Sequence, residues 1–428
     1  MRAEILSSPK PQIPHWAADG ALLTFWALAA PVALVAPKAL QIVVWLLPLA
    51  SLAVLARHGL GLRLLAWRPI YAVMAIPLAA LLCAPVSVDP MESVGRALRM
   101  VGEFVALCLL ITSTLALPDP LRRRLTRAAT VGVALTGGII LLDVATRGAA
   151  LTPFWGRSTS WEWRKIGYNR GETTLAMLLP LAALTLALGV GRFGRMAAPL
   201  AALALGVAAV QVGASNSAKI ATLAAGLVFC VVYLLPGLLR VLIWGCAVSV
   251  LAMPWALDAM PPRPMIEQSG ASLQSAVHRT IIWDFTIARI KERPLLGWGL
   301  DASRRMPGGD DEVIVSGFNK AGAPGAARVE MTGQVMPLHP HNGALQIWLE
   351  LGGLGAAVTA GLILLAAESL RKLRLSRAAA AASAASFAAG FIVALVSYGI
   401  WQGWWLSALF IMATIPALTR SDESVARP

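Results

Sequence analysis

Charged side chains are scarce in this chain. Asp, Glu, Lys and Arg make up 14% of its 428 residues, against 57% hydrophobic residues and a mean hydropathy of +0.70. Soluble domains carry about a quarter charged residues, so a water-soluble globular fold is excluded and a bilayer is the expected solvent. Cysteine is scarcer still. Cys83, Cys108, Cys230 and Cys246 all fall in or beside apolar runs, where small buried hydrophobes are expected rather than a disulfide framework or a metal site. The first stretch, MRAEILSSPKPQIPHW, lacks an adjacent apolar core and cleavage site, so a cytoplasmic tail is expected and not a cleaved signal. Acidic residues number 22 against 36 basic ones, a net charge of +14, yet no nucleic-acid recognition module appears. Anionic lipid or phosphate accounts better for the excess.

The apolar residues are gathered into runs of about 16 to 25, which at 1.5 Å rise per residue match a hydrocarbon core of about 30 Å. Runs at roughly 20–36, 39–57, 69–87, 98–116, 128–145, 172–190, 197–213, 218–235, 240–257, 342–367, 378–399 and 402–418 predict an all-α polytopic membrane protein of about twelve spans. Charge placement gives an independent test, because short cytoplasmic loops collect Lys and Arg. With the N-terminus inside, every even loop is basic: Arg57, Arg63 and Arg68; LRRRLTR, with Arg122, Arg123, Arg124 and Arg127; Arg192 and Arg195; Arg240; and RKLRLSR, with Arg371, Lys372, Arg374 and Arg377. Both termini are then cytoplasmic. Three informative stretches lie outside, at 146–171, 214–219 and 258–341. The expected organisation is an N-terminal membrane bundle of about nine helices over 1–257, a long outer loop over 258–341, and C-terminal membrane helices with a tail over 342–428.

The last outer loop is far longer than the other connections, and such length in a compact protein usually serves function or is disordered. Its middle, SLQSAVHRTIIWDFTIARIKERPLLGWGL, sets Ile281, Ile282, Phe285, Ile287 and Ile290 among polar residues and predicts an amphipathic helix on the outer membrane surface or across the bundle mouth. The following DASRRMPGGDDEVIVSGFNKAGAPGAARVEMTGQV is Gly-rich and polar and is expected to be mobile. Within the helix, Arg279 and Trp283 share a face at i, i+4, with His278 beside them. An Arg snorkelling next to an aromatic belt residue fits that pattern, and so does a guanidinium fork aimed at phosphate. Arg170 stands at the start of the sixth run, where the helix macrodipole disfavours a cation. Glu162 or Glu172 could compensate it; a bound phosphate is the rival. Lys219 opens the eighth run beside Ser215, Asn216 and Ser217, as a membrane-surface anchor or a third ligand cation.

The segment LHPHNGALQIWLELGGLGA brings polar chemistry to the mouth of an apolar helix. Asn342, Gln346 and Glu350, spaced i, i+4, i+8, form one stripe that should face protein, because an ionisable Glu350 in a span is costly against lipid. Gly352, Gly353 and Gly355 would let another helix approach. His341 can act as a general base near neutral pH or cap a helix start. His339 and His341 together lack a clear third ligand for zinc.

A multi-span chain with one long late outer loop, HRTIIWDFTIARIKERPLLGWGL and HPHNGALQIWLELGGLGA resembles the bacterial O-antigen ligase and polymerase superfamily. The resemblance implies a glycosyltransferase bundle of the GT-C-like kind in the inner membrane, with its active site facing the periplasm. It implies a glycan donor on undecaprenyl diphosphate, an acceptor hydroxyl on lipid A core, inversion at the anomeric carbon, and no metal or cofactor. His341 matches the family's essential histidine, and Arg279 and Arg170 match its diphosphate-holding arginines. Lys219 is a less secure match; Asn342, His339, Trp283 and Gln346 are expected near substrate and Glu350 in support. Membrane lipids are expected partners, nucleic acid is not, and the protein is expected to be a monomer. A polymerase using the same donor is the alternative; oligosaccharyl transfer to protein, or transport of a lipid-linked anion, are remoter ones.

Overall fold

Each apolar run anticipated from the sequence falls, in whole or part, on a helix of the computed structural model, which describes residues 15–57, 72–156, 161–188, 193–260, 274–318, 327–373 and 375–420. In chain order the helices are α1 (His15–Val35), α2 (Pro37–Arg57), α3 (Ala75–Cys83), α4 (Pro90–Ala116), α5 (Asp119–Ala145), α6 (Thr152–Trp155), α7 (Trp161–Gly167), α8 (Asn169–Leu188), α9 (Phe193–Val212), α10 (Asn216–Leu234), α11 (Leu238–Asp258) and α12 (Gln274–Glu292). A hairpin of β1 (Glu312–Phe318) and β2 (Arg328–Gln334) follows, then α13 (Gly343–Lys372), α14 (Arg377–Val396), α15 (Gly403–Ala413) and α16 (Ile415–Thr419).

Seven of these helices (α2, α4, α5, α10, α11, α13 and α14) are long and apolar enough to cross a membrane. Shorter apolar stretches occupy α1, α3, α9 and the α15–α16 pair. The chain is a multi-pass membrane protein by these measures. Arg63, Arg68, Arg192 and Arg374, four of the expected inside cations, lie outside the described residues. The four cysteines are free, two of them buried and Cys230 exposed on the outer surface of α10.

The helix at the centre is α8, which packs on α1, α5, α9, α10 and α14. Its run Leu175 to Ala182 is buried nearly all round, the pattern of a helix surrounded by others. Arg170 and Glu172 in its first turn lower its overall hydropathy, yet this helix has the most neighbours.

Two features depart from the sequence expectations. The polar stretch after α12, expected to be mobile, folds instead into the antiparallel β1–β2 hairpin, in register from Glu312 opposite Gln334 to Phe318 opposite Arg328. Val315 packs with Val277 and Ile281 of α12, so alternation of apolar residues along β1 outweighs the Gly content of the stretch. Residues 319–326 lie outside the described ones.

The second departure is at Gly352, where α13 breaks with φ +61° and ψ −160°. The turn over Pro294–Gly299 fills the break with its own backbone. Trp298 and Gly299 N–H donate to the Leu349 and Glu350 carbonyls, both at 2.9 Å, while Gly353 and Leu354 N–H donate to Pro294 and Leu295 carbonyls at 2.8 and 3.2 Å. The glycines expected to admit a helix thus admit a turn. A Cβ on Gly352 would run into the Leu295 carbonyl, and one on Gly297, itself at φ +67°, would lie 2.6 Å from the Glu350 carbonyl carbon. Gly352→Ala is therefore expected to lower stability by about 3 kcal/mol, since this backbone region is close to glycine-only. Thermal unfolding in detergent measures it, and an unchanged midpoint would contradict the broken-helix geometry.

Candidate functional site

The turn from Leu338 to Asn342 joins the hairpin to α13. Asn342 caps the helix, its Oδ1 accepting the Leu345 N–H at 3.0 Å. His341 just before it has φ +53°, an uncommon conformation for a residue with a Cβ. Four contacts hold it there. Its main-chain N–H donates to His339 Nδ1 at 3.1 Å, and its own Nδ1 lies 2.7 Å from the Ser397 carbonyl oxygen. The Trp283 indole N–H donates to the Pro340 carbonyl at 3.0 Å, and the Asn342 cap closes the other side.

These contacts select the imidazole tautomers. A carbonyl accepts only, so His341 carries its proton on Nδ1 and presents Nε2 as a free base. His339, accepting at Nδ1, carries its proton on Nε2. Burial, then the charges of His341, Arg304 and Arg279, push His339 down to about 3, so it is neutral throughout the working range. Burial also lowers His341 below the usual histidine value; the Ser397 carbonyl opposes this, and the Arg279 and His278 charges add to it. Both rings, 4.3 Å apart between centroids, are thus neutral at pH 7.

Arg279 lies on α12 one turn before Trp283, and the face they share packs on the histidine turn. Partial burial lowers its pKa. Among the described residues its guanidinium makes no hydrogen bond or ion pair, an expensive state for a half-buried cation. His278 turns away, its Nε2–H donating to the Gln334 carbonyl on β2 at 2.8 Å.

Arg170 is exposed in the first turn of α8, its guanidinium 5.6 Å from the ring centroid of Trp404. The carboxylate expected to compensate it points elsewhere. Glu172 is fully buried and accepts the Ser215 N–H at 3.1 Å, near the Lys219 charge at the start of α10. The Glu162 side chain lies outside what is described. Ahead of Arg170, buried Asp143 pins the chain by accepting from Arg164 Nε at 3.0 Å, the Tyr168 hydroxyl at 2.7 Å and the Leu151 N–H at 2.7 Å.

What connects Arg170 to His341 is a segment the sequence reading passed over, Ser397 to Trp404. Ser397 holds His341; Tyr398 meets Thr173 of α8 at 3.3 Å and Trp404 at 4.6 Å between ring centroids; Trp404 carries Arg170. Its polar and aromatic residues between two apolar runs, SYGIWQGW, were a usable signal. Asp143, Arg164 and Tyr168 had no such signal, since their pairing spans a loop.

Behind the histidines, the expected stripe does face inward. Glu350 is 0% exposed and its carboxyl accepts four donors: Asp301 N–H at 2.7 Å, Trp401 Nε1 at 2.7 Å, Gln346 Nε2 at 2.9 Å and the Ser303 hydroxyl. Gln346 Oε1 accepts the Ile400 N–H at 2.9 Å. Gln346, expected at the substrate, has both ends of its amide engaged within the protein, and Asn342 is spent as a cap. The stripe therefore ties the 299–303 turn and the 400–401 segment to α13. Next to the first turn of α13 an apolar cavity of about 270 Å³ opens, lined by Ala344, Ile347, Phe391, Ile400, Trp401 and Phe410.

Residues 173–360 match the family described as O-antigen ligase. Across this segment, 188 of its 428 residues, the chain is similar to the O-antigen ligase superfamily. The ligase-family segment holds Lys219, Arg279, Trp283, both histidines and Glu350, and begins at residue 173, just after Arg170. Over 173 residues the chain is 33% identical to a protein of Rickettsia prowazekii and 31% to one of Rickettsia conorii, and over 199 residues 28% identical to one of Rickettsia bellii, all provisionally named polysaccharide ligases. These alignments cover 40%, 40% and 46% of this chain, and 40%, 39% and 46% of the relatives, so the likeness spans less than half of either partner.

Proposed function

We propose that this protein transfers an O-antigen glycan from undecaprenyl diphosphate to a sugar hydroxyl of lipid A core, at the periplasmic face of the inner membrane. The observation that carries the reading is a half-buried Arg279, with no hydrogen bond or ion pair among the described residues, whose charge acts on a neutral His341 that has its Nδ1 tied to Ser397. A partnerless buried guanidinium is stabilised by a bidentate anion such as a diphosphate. His341 Nε2 takes the proton of the acceptor hydroxyl as its oxygen attacks the anomeric carbon from the face opposite the leaving group, which inverts that centre. The anomeric C–O bond breaks, and undecaprenyl diphosphate departs with the electron pair, held by Arg279 and Arg170. Lys219, whose charge acts on Glu172, contributes field rather than contact. The apolar cavity at Ala344 and Ile347 offers a place for the first isoprene units of the donor.

Purified chain reconstituted with undecaprenyl-diphosphate-linked glycan, offered lipid A core and a second lipid-linked glycan in competition, tests the reading. Glycan on lipid A core supports it. Chain extension on the second donor would replace it with a polymerase, and no transfer to either would overturn it. Arg279→Ala is expected to weaken donor binding by about tenfold or more, the worth of one charge-assisted contact, and Arg170→Ala to do so less because Arg170 is exposed. Donor titration in detergent gives the affinities; equal affinity for parent and Arg279→Ala would remove Arg279 from the diphosphate.

A further inference from the structure

A second cavity lies at the other end of the bundle from the histidines. α13 begins at the site, and the 20 residues after its Gly352 break carry its last turn, at 1.5 Å per residue, roughly 30 Å beyond that break. There a cavity of about 680 Å³ opens between two helix pairs. α10 packs on α14 and α11 packs on α13, while α10 and α11, joined by a tight turn, touch each other little. The two pairs diverge and leave a slot.

The walls and the rim differ in chemistry. Leu239, Ile243, Trp244 and Leu364 make the walls apolar, and Arg240 and Arg371 stand at the rim. Arg371 is shared with Glu368 at 2.8 Å, which Lys372 also approaches at 3.5 Å. Arg240 is exposed and makes no ion pair among the described residues. Exposed Arg377 opens α14 beside this end. Four cations against one carboxylate leave the rim net positive. Trp244, 57% exposed at the same level, is placed as an aromatic at a membrane–water boundary.

We propose that this slot binds one anionic phospholipid, with an acyl chain between the helix pairs and its phosphate on Arg240 and Arg371. The apolar walls require a chain, which a free anion lacks, and the cationic rim selects a negative headgroup over a zwitterionic one. By the positive-inside pattern this is the cytoplasmic leaflet, so the site is separate from the proposed glycan donor. Bound lipid would wedge apart the α10–α14 and α11–α13 pairs.

Native mass spectrometry of the full chain in detergent, incubated in turn with phosphatidylglycerol, phosphatidylcholine and inorganic phosphate, tests the proposal without any glycan transfer. Phosphatidylglycerol should persist under detergent exchange that strips phosphatidylcholine. The Arg240→Gln, Arg371→Gln double variant should retain about tenfold less phosphatidylglycerol. Ser383→Trp, which fills the slot and leaves the cations in place, should lose it too. Lys219→Gln, at the opposite end, should retain it, and unchanged melting of the double variant reports an intact fold. Equal retention of the two lipids, parental retention by the double variant, or displacement by inorganic phosphate would each overturn the lipid site.

Discussion

Replacing His341 with Ala or Asn is expected to cut glycan transfer by about a thousandfold, the middle of the range for loss of a positioned general base, while chain abundance in the membrane stays at the parental level. His341→Asn is the sharper variant, because Asn tolerates the left-handed backbone that His341 adopts at φ +53° and so keeps the turn while removing the base. The expected pH profile follows from the direction of the His341 shift. Burial lowers its pKa below the usual value, and a base acts only when unprotonated. Transfer should thus be on its plateau at pH 7 and fall on the acid side only below about 6.5, the unperturbed histidine value. The pH dependence of initial rates measures this. An acid limb centred above pH 7, or full transfer by His341→Asn, would remove His341 from the base role. His339→Gln should be milder, since what His339 supplies is an acceptor for the His341 N–H, which a Gln oxygen can partly replace.

The parts of this fold that were legible in the sequence are those written in local periodicity. Apolar runs gave the helices because burial and lipid both demand them, and the i, i+4 spacing of Arg279 and Trp283 put them on one face of α12. The same spacing turned Gln346 and Glu350 inward. Where the structure departed, the deciding partner was distant in the chain or was main chain. Gly352 looked like a packing glycine because the carbonyls that fill its break belong to Pro294 and Leu295. Ser397 acts on His341 through its carbonyl, which every residue possesses, so no side chain announces it. Glu172 was one of two carboxylates that could compensate Arg170, but residues two apart on a helix face different ways. Glu172 accordingly reaches Ser215 while Arg170 lies over Trp404.

Loss of Glu350 is expected to be the most damaging change in the ligase-family segment for stability. All four groups that meet its carboxyl are donors, drawn from the 299–303 turn, the 400–401 segment and α13 itself. Glu350→Ala strands them away from water. With about 1–3 kcal/mol for each buried donor left unmade, even partial rescue by rearrangement leaves a loss of several kcal/mol. Glu350→Gln is nearly isosteric, yet it turns one acceptor oxygen into an NH2 that must face the Asp301 N–H and Trp401 indole on one side, or Ser303 and Gln346 on the other. Only the Ser303 hydroxyl can reverse its role, so the amide should settle with its NH2 toward Ser303 and cost about 1–3 kcal/mol. The order expected in detergent melting midpoints and in membrane abundance is parent, then Gln, then Ala. Transfer should fall alongside stability, because Gln346 and Trp401 carry the 400–401 strap whose neighbour Ser397 orients His341. A Glu350→Ala chain that melts like the parent would mean the four donors find other partners. A Glu350→Gln chain stable as the parent but inert in transfer would instead move Glu350 from support to chemistry.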